Sequence, residues 1–309
     1  MTRPSPLSDL RRKLFECVRL IHADVMPTNA AEEPVSSNPR MRFVNIWADI
    51  VTRYSTCALT MPDDKIPALL GIANRIQAMA KVPHHFGVFF DDSPLVLRSL
   101  LWYRQNSYLR RPNLARAPSW SWASCDGSVA FQYGPLDNND TKIRDLNNIT
   151  GSEQYGNLSP IAKLLNTLEV SHDRSTNLGP ILISSPLVET TRDTSPSSES
   201  SRGRLYHRWP SGSFACHAAG SPEPYGHGSQ VLFDSETYQP LEFLCMPLFS
   251  RHGDPMIAIY RSLTYRFCLV LQSDGDGPIG CEYRRIGIAV LTSVYKDTQL
   301  PEKKPVVLT

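Results

Sequence analysis

Long apolar runs are missing: nowhere in the 309 residues do eighteen apolar side chains follow one another, the minimum for a helix that crosses a bilayer. The opening MTRPSPLSDLRRKLF also lacks the apolar stretch of a secretory leader. A soluble, cytoplasmic chain with no membrane partner is the expectation. An excess of one charge is missing too, because 32 Lys and Arg face 30 Asp and Glu for a formal +2. That is too weak a field to steer a protein onto nucleic acid or anionic lipid, so no nucleic acid partner is expected. The seven cysteines (Cys17, Cys57, Cys125, Cys216, Cys245, Cys268, Cys281) are odd in number and contain no CxxC pair. Neither a disulfide framework nor a zinc module is indicated, and reduced thiols fit best. No glycine-rich phosphate loop occurs.

What is there fits an ordinary globular chain, with 41% hydrophobic and 20% charged residues and enough length to bury one large core or two unequal ones. The 25 prolines against 17 glycines point to many extended connections and few long helices. Residues 8–26 carry Leu10, Leu14, Phe15, Val18, Leu20 and Ile21 at helical spacing after Ser8 as a possible N-cap. The polar stretch 27–40, with three prolines, reads as a linker. This gives an N-terminal helix and linker over 1–42. From Phe43, the residues Ile46, Trp47, Ile50, Val51 and Tyr54 recur at steps of three and four and predict a helix. A second helix is expected with Asp63 or Asp64 as its cap, Pro67 in its first turn and Ile66, Leu69, Leu70, Ala73 and Ile76 on one face. A third covers Leu95 to Tyr103. Residues 43–115 are therefore the helical segment.

Beyond it the pattern turns to period two in SVAFQY, PILISSPLVET, SQVLFDS, LEFLCMPLFS, RFCLVLQS and CEYRRIGIAVLTS. The expectation is an α+β chain: a small N-terminal helical part packed on a mostly antiparallel β part, 116–300, with long loops. Residues 191–204, TRDTSPSSESSRGR, hold almost no apolar side chain and read as a disordered loop.

The most distinctive stretch is APSWSWASCDG, 117–127, which holds two of the five tryptophans. Asp126-Gly127 is the composition of a two-residue hairpin turn. That register would pair Trp122 with Phe131 and Trp120 with Tyr133, gathering four aromatics on one face. Such a face most simply packs on the helices just upstream as core, since large exposed apolar patches are rare on monomers.

Other groups offer less. His84, His85, Asp91 and Asp92 fall within nine residues, but neighbours in pairs point apart and no HxxxH or HExxH spacing is present. A surface loop is the simpler reading. SDGDGPIG, 273–280, has half the ligands of a calcium loop and reads as a turn between strands. Ser229 in GHGSQ and Cys57 in YSTCALT lack an elbow motif or a spaced base. Arg98, Arg104, Arg110, Arg111 and Arg116 surround Trp102, Tyr103 and Tyr108, a mixture found in single-strand binders, though a solvated helix edge is simpler. No catalytic, cofactor-binding or metal-binding residue is assigned, and no cofactor is expected.

Four stretches taken in order, IWADIVTRYSTCALTMPDDKIPALLGIA (46–73), LRSLLW (97–102), RAPSWSWASCDG (116–127) and EYRRIGIAVL (282–291), resemble the fungal heterokaryon incompatibility (HET) domain proteins, in the segment that follows their HET domain. In that family the N-terminal HET domain is thought to be the effector of a programmed cell death that follows fusion of unlike cells. About 42 residues precede the matched region here, too few for that domain, so its chemistry is not carried over. The resemblance implies a non-catalytic accessory or regulatory module that works through protein partners. The alternative is an enzyme, or a nucleotide- or metal-binding remnant, with its site near His84, His85, Asp91 and Asp92.

Overall fold

The computed structural model describes residues 39–57, 61–80, 82–90, 95–105, 108–112, 115–131, 158–167, 179–196, 213–218, 229–252, 263–273, 282–294 and 300–309. The first helix, α1, runs Pro39–Ser55 and buries Trp47, Ala48, Ile50 and Val51, as the spacing predicts. Its last residue is tied across the fold: the Ser55 hydroxyl accepts from the Val129 amide at 2.9 Å. Asp63 and Asp64 do not cap a helix. They lie in a 3-10 turn, Pro62–Lys65, that has no side-chain cap, and α2 begins at Pro67 and runs to Ala80. Leu69, Ala73 and Ile76 point inward, whereas Leu70 is exposed.

A two-stranded hairpin follows, β1 (His84–His85) with β2 (Val88–Phe89). Helix α3 covers only Leu95–Ser99. The expected continuation to Tyr103 is instead strand β3, Trp102–Arg104, paired with β4, Val129–Phe131, so that Trp102 faces Phe131. That pairing also overturns the hairpin expected at Asp126-Gly127. Residues 122–124 form a 3-10 turn, because the Ser121 hydroxyl accepts from the Ala123 amide at 3.0 Å and bends the chain there. Asp126 bridges Arg110 instead of opening a ladder to Phe131. Tyr133 and residues 8–26 lie outside the described residues.

The remaining strands are β5 (Leu158–Pro160), β6 (Lys163–Thr167), β7 (Ile181–Ser185), β8 (Val188–Pro196), β9 (Phe214–Ala218), β10 (Gln230–Phe233), β11 (Glu242–His252), β12 (Leu263–Ser273), β13 (Glu282–Val294) and β14 (Lys304–Leu308). Their order is β10-β9-β8-β11-β12-β13-β14-β7-β6, and β10 also pairs with β13. The second pairing closes β8 to β13 into a six-stranded barrel. The mostly stranded chain with few helices fits the α+β class expected, but β1 to β3 lie within 43–115, which reads as helical in sequence, and barrel closure is not among the expectations. Nor is the parallel contact between β13 and β14. Residues 191–196, expected as the start of a disordered loop, are the last six of the nine residues of β8. Thr191 lies between β11 and β9, the Arg192 amide donates to the Leu241 carbonyl, and Arg192 and Pro196 pair with β9, so backbone pairing places this stretch in the sheet without apolar side chains. Residues 197–204 lie outside the described residues. The strands flanking 273–280 form an antiparallel pair.

Strand alternation then builds two cores from one sheet. Phe214, Cys216, Val231, Phe233, Phe243, Cys245, Cys268, Val270, Ile286, Ala289 and Leu291 fill the barrel. The opposite faces of the same strands, with Met246, Leu248, Phe267, Leu269, Ile288 and Val290, pack under Leu97, Leu100, Leu101 and Trp120. β12 is therefore buried on both sides, which is why RFCLVLQS is apolar at successive positions. Among the described residues no helix is long and apolar enough to cross a membrane.

Closure depends on Gly287, which faces Phe233 across β10 and β13. A Cβ there would overlap the Leu232 carbonyl, and backbone cannot move aside as a side chain can. Gly287→Ala is expected to lose at least about 2 kcal/mol, read as a shift in the midpoint of denaturant unfolding. An unshifted midpoint would mean the barrel is not closed at this pair.

Candidate functional site

The tryptophan segment sits where the helical elements meet the barrel, and its two indoles part company. Trp120 turns into the core on the barrel's outer face, with its ring edge-on to Phe86 and Phe90 at 6.1 and 5.6 Å and its N–H on the Gly179 carbonyl at 3.2 Å. Trp122 turns the other way, among the helices, beside Tyr54. Both are 1% exposed. The core reading of this stretch holds, but the single aromatic face does not, because the 3-10 turn rotates the second indole away from the first.

One carbonyl organises the helical side. Gly87 O accepts from the indole N–H of Trp47 and of Trp122, each at 3.0 Å, so both lone pairs are used. The turn that presents it has positive φ at Phe86 (46°) and Gly87 (86°). A Cβ at Gly87 would overlap the Trp122 indole, so only glycine fits. Ser121 adds a bond from its hydroxyl to the Phe86 carbonyl at 2.5 Å.

Cations then bind main chain to main chain. Lys65, 4% exposed, donates its ammonium to the Cys125 carbonyl and lies 5.2 Å from the Trp122 ring centre. Burial, then the nearby Arg116, pushes its pKa down to about 8, against the pull of Asp126. Arg116 donates to the carbonyls of Ala123 (2.7 Å) and Cys125 (2.9 Å) and pairs with the Asp126 carboxylate. Arg104 stacks over Tyr108 at 4.1 Å and donates to the Phe233 carbonyl at 3.0 Å. Arg111 donates to the Arg285 carbonyl at 2.7 Å. Arg285 is fully buried: its guanidinium lies 3.2 Å from the Trp102 ring centre and donates to the carbonyls of Leu100 (2.8 Å) and Trp102, with Asp234 at 3.4 Å. Burial pushes its pKa down to about 10, with Asp234 acting against it.

The arginines grouped in sequence around Trp102 and Tyr108 are thus not one surface. Arg98 and Arg104 are buried, and Arg104, Arg111 and Arg116 are engaged within the fold. Sequence reading passed over Lys65, Gly87, Asp234 and Arg285. The Arg-Arg pair inside the apolar strand of 282–291 was the available signal for the last, since a charge at a core-facing strand position must be paired.

His84 and His85 share β1 but not an environment. His84 packs against Phe89 (4.7 Å) and Trp47 (5.9 Å), and burial, then His85, lowers its pKa to about 4. His85 is exposed, with its ring 5.6 Å from Phe90. Asp91 and Asp92 lie outside the described residues, so the structure does not place them with the histidines. Among the described residues, no group of three His, Cys, Asp or Glu side chains is placed to hold a metal ion. Cys57 is exposed and its thiol donates to the Arg53 carbonyl at 3.6 Å. The Ser229 hydroxyl accepts from the Thr292 amide at 2.8 Å, fixing the start of β10 to β13. Cys216 and Cys268 face the barrel interior, where burial and neighbouring thiols hold their pKa values well above the usual range, the opposite of an activated nucleophile.

The His84 environment has a pH consequence. Its folded pKa lies near 4 and its ordinary value is 6.5, so between those values the unfolded chain binds a proton that the folded chain refuses. Its contribution is complete above pH 6.5 and is lost as the pH falls towards 4, with a ceiling of about 3 kcal/mol. Urea unfolding at neutral and acid pH is expected to show that loss in the wild type and a smaller one in His84→Phe. Equal acid sensitivity of the two would assign the loss elsewhere.

Compared with known proteins, the chain matches no family model, no curated protein and no solved structure.

Proposed function

We propose that this chain is a non-catalytic accessory or regulatory module of the heterokaryon incompatibility type, acting through protein contacts. One observation supports the reading above others: the cations around the tryptophan segment are spent on backbone carbonyls, Lys65 and Arg116 on the segment itself and Arg104 and Arg285 on the elements beside it. The Cys125 thiol is buried with its pKa raised, chiefly by that burial. A nucleophile or general base needs a free, polarised partner within reach of substrate. The resemblance in the four motif stretches supplies the biological half of the proposal. The rigid scaffold supplies the physical half, because binding residues are most often carried on loops positioned by such a framework.

Expression in a compatible fungal cell tests it: the chain alone is expected to leave growth unaffected, and arrest is expected only with an added partner. Arrest by the chain alone, abolished by alanine at His84, His85, Asp91 and Asp92, would instead favour the enzymatic or ligand-binding alternative. Thermal shift against nucleotides and divalent metals gives an independent readout. A ligand at 100 times its Kd would add about 2.7 kcal/mol, and the proposal expects no shift.

A further inference from the structure

The barrel strands carry three of the seven cysteines: Cys216 on β9, Cys245 on β11 and Cys268 on β12. All three side chains lie in the barrel interior, among Phe214, Val231, Phe233, Phe243 and Val270. Cys245 and Cys268 are fully buried, and Cys216 is 6% exposed. The Cys245 and Cys268 thiols are hydrogen-bonded to one another, and Cys268 also donates to the Arg266 carbonyl at 3.4 Å. Two thiols in contact inside a closed apolar barrel can pack, join as a disulfide or share an ion.

Register decides against the disulfide. Cys245 stands opposite Val270 and Cys268 opposite Pro247, so the two cysteines are diagonal neighbours, whose Cα atoms lie about 7–8 Å apart. A disulfide needs Cα atoms within about 7 Å, and the ladder of β11 with β12 runs on past both positions and holds the strands at that spacing. An ion between the sulfurs spans more. Two bonds of about 2.3 Å, the length zinc makes to thiolate, bridge sulfurs up to about 4.6 Å apart, which suits thiols already in hydrogen-bond contact.

The surroundings choose the ion. Among the described residues no three His, Cys, Asp or Glu side chains are placed to hold a metal, so the pair supplies two sulfur ligands and Cys216 is not a third. Zinc takes four ligands, and calcium and magnesium take about six oxygens; the apolar wall offers neither set. Thiolates select soft ions such as Cu(I), which two sulfurs in line can hold. Binding replaces both thiol protons, so one Cu(I) and two thiolates form a unit of charge −1 and two protons leave. Burial opposes the Cys268 thiolate, and the Arg266 guanidinium, from two residues earlier on β12, favours it. We propose that Cys245 and Cys268 form a two-coordinate site for a soft monovalent cation of the Cu(I) class inside the barrel. Entry lies beside Cys216, where β9 and β10 pair at two positions among the described residues and so short a ladder opens readily. This goes beyond the incompatibility reading and does not depend on it.

The test uses the full chain with the other four cysteines replaced, as Cys17→Ser, Cys57→Ser, Cys125→Ala and Cys281→Ser, titrated without oxygen with Cu(I) against a chromophoric Cu(I) chelator. One Cu(I) per chain is expected, with two sulfur neighbours in X-ray absorption. Its apparent affinity is expected to rise with pH by up to about 100-fold per unit while both thiols are protonated. Adding Cys216→Ala is expected to leave the stoichiometry and the sulfur count unchanged. Cys245→Val/Cys268→Val, which stays close to the native volume, is expected to abolish uptake at an unchanged far-UV circular dichroism spectrum. If that variant misfolds, the sulfur count of the parent chain decides. No uptake, three or more sulfur neighbours, or undiminished uptake by the folded valine variant would overturn the proposal. So would recovery of Cys245 joined to Cys268 by a disulfide after mild peroxide oxidation, which would make the pair a redox couple.

Discussion

A guanidinium with no access to water joins the two halves of this protein. Arg285 leaves the outer face of the barrel, lies flat on Trp102 and donates to the carbonyls of Leu100 and Trp102, where α3 gives way to β3. Asp234, at the end of β10, balances it, and the Asp234 carbonyl accepts from the Leu109 amide. The barrel's closing strands and the helical layer therefore share one buried ion pair. Taking such a pair from water costs several kcal/mol per ion, and the return lies in fixing one arrangement and in the heavy cost of removing either partner. Among the described residues, Arg285 Nε and Asp234 Oδ2 have no hydrogen-bond partner. The pair is thus better at specifying how the layers dock than at adding net stability.

The other cations repeat the device at lower intensity. Lys65 and Arg116 meet on the Cys125 carbonyl, and Gly87 gathers two indoles on its own. Each replaces ladder hydrogen bonds where the chain is neither helix nor strand, since residues 115–126 carry many backbone groups that a sheet would otherwise have paired. A segment stitched in this way is rigid and has few polar groups free for chemistry. This physical content stands behind the accessory-module proposal.

Much of the architecture was legible because period and burial coincide. Trp47, Ile50 and Val51 mark a helix stripe, and the late strands alternate as a barrel with two covered faces requires. The misses came where tertiary partners override local signals. Asp126-Gly127 has hairpin composition, yet Ser121 and Arg110 bend and pair that chain first. Thr191 to Pro196 has almost no apolar side chain to suggest a strand, but it continues β8, flanked by β11 at Thr191 and by β9 beyond it. Trp102 continues the helical spacing of Leu97, Leu100 and Leu101, and it leaves the helix because Phe131 offers a strand partner. The cation network was illegible for a related reason: the carbonyls it serves belong to residues up to 185 positions away.

The central claim, that Arg285 couples the helical layer to the barrel, is tested most directly by unfolding Arg285→Met with two probes. Tryptophan fluorescence, in a Trp209→Phe background, reports Trp47, Trp102, Trp120 and Trp122 at the junction, and far-UV circular dichroism reports mainly the barrel. The wild type should show coincident transitions. Arg285→Met should lose about 3–5 kcal/mol, as breaking a buried pair does, with the fluorescence transition moving first and separating from the barrel's. Coincident transitions at the wild-type midpoint would contradict the account.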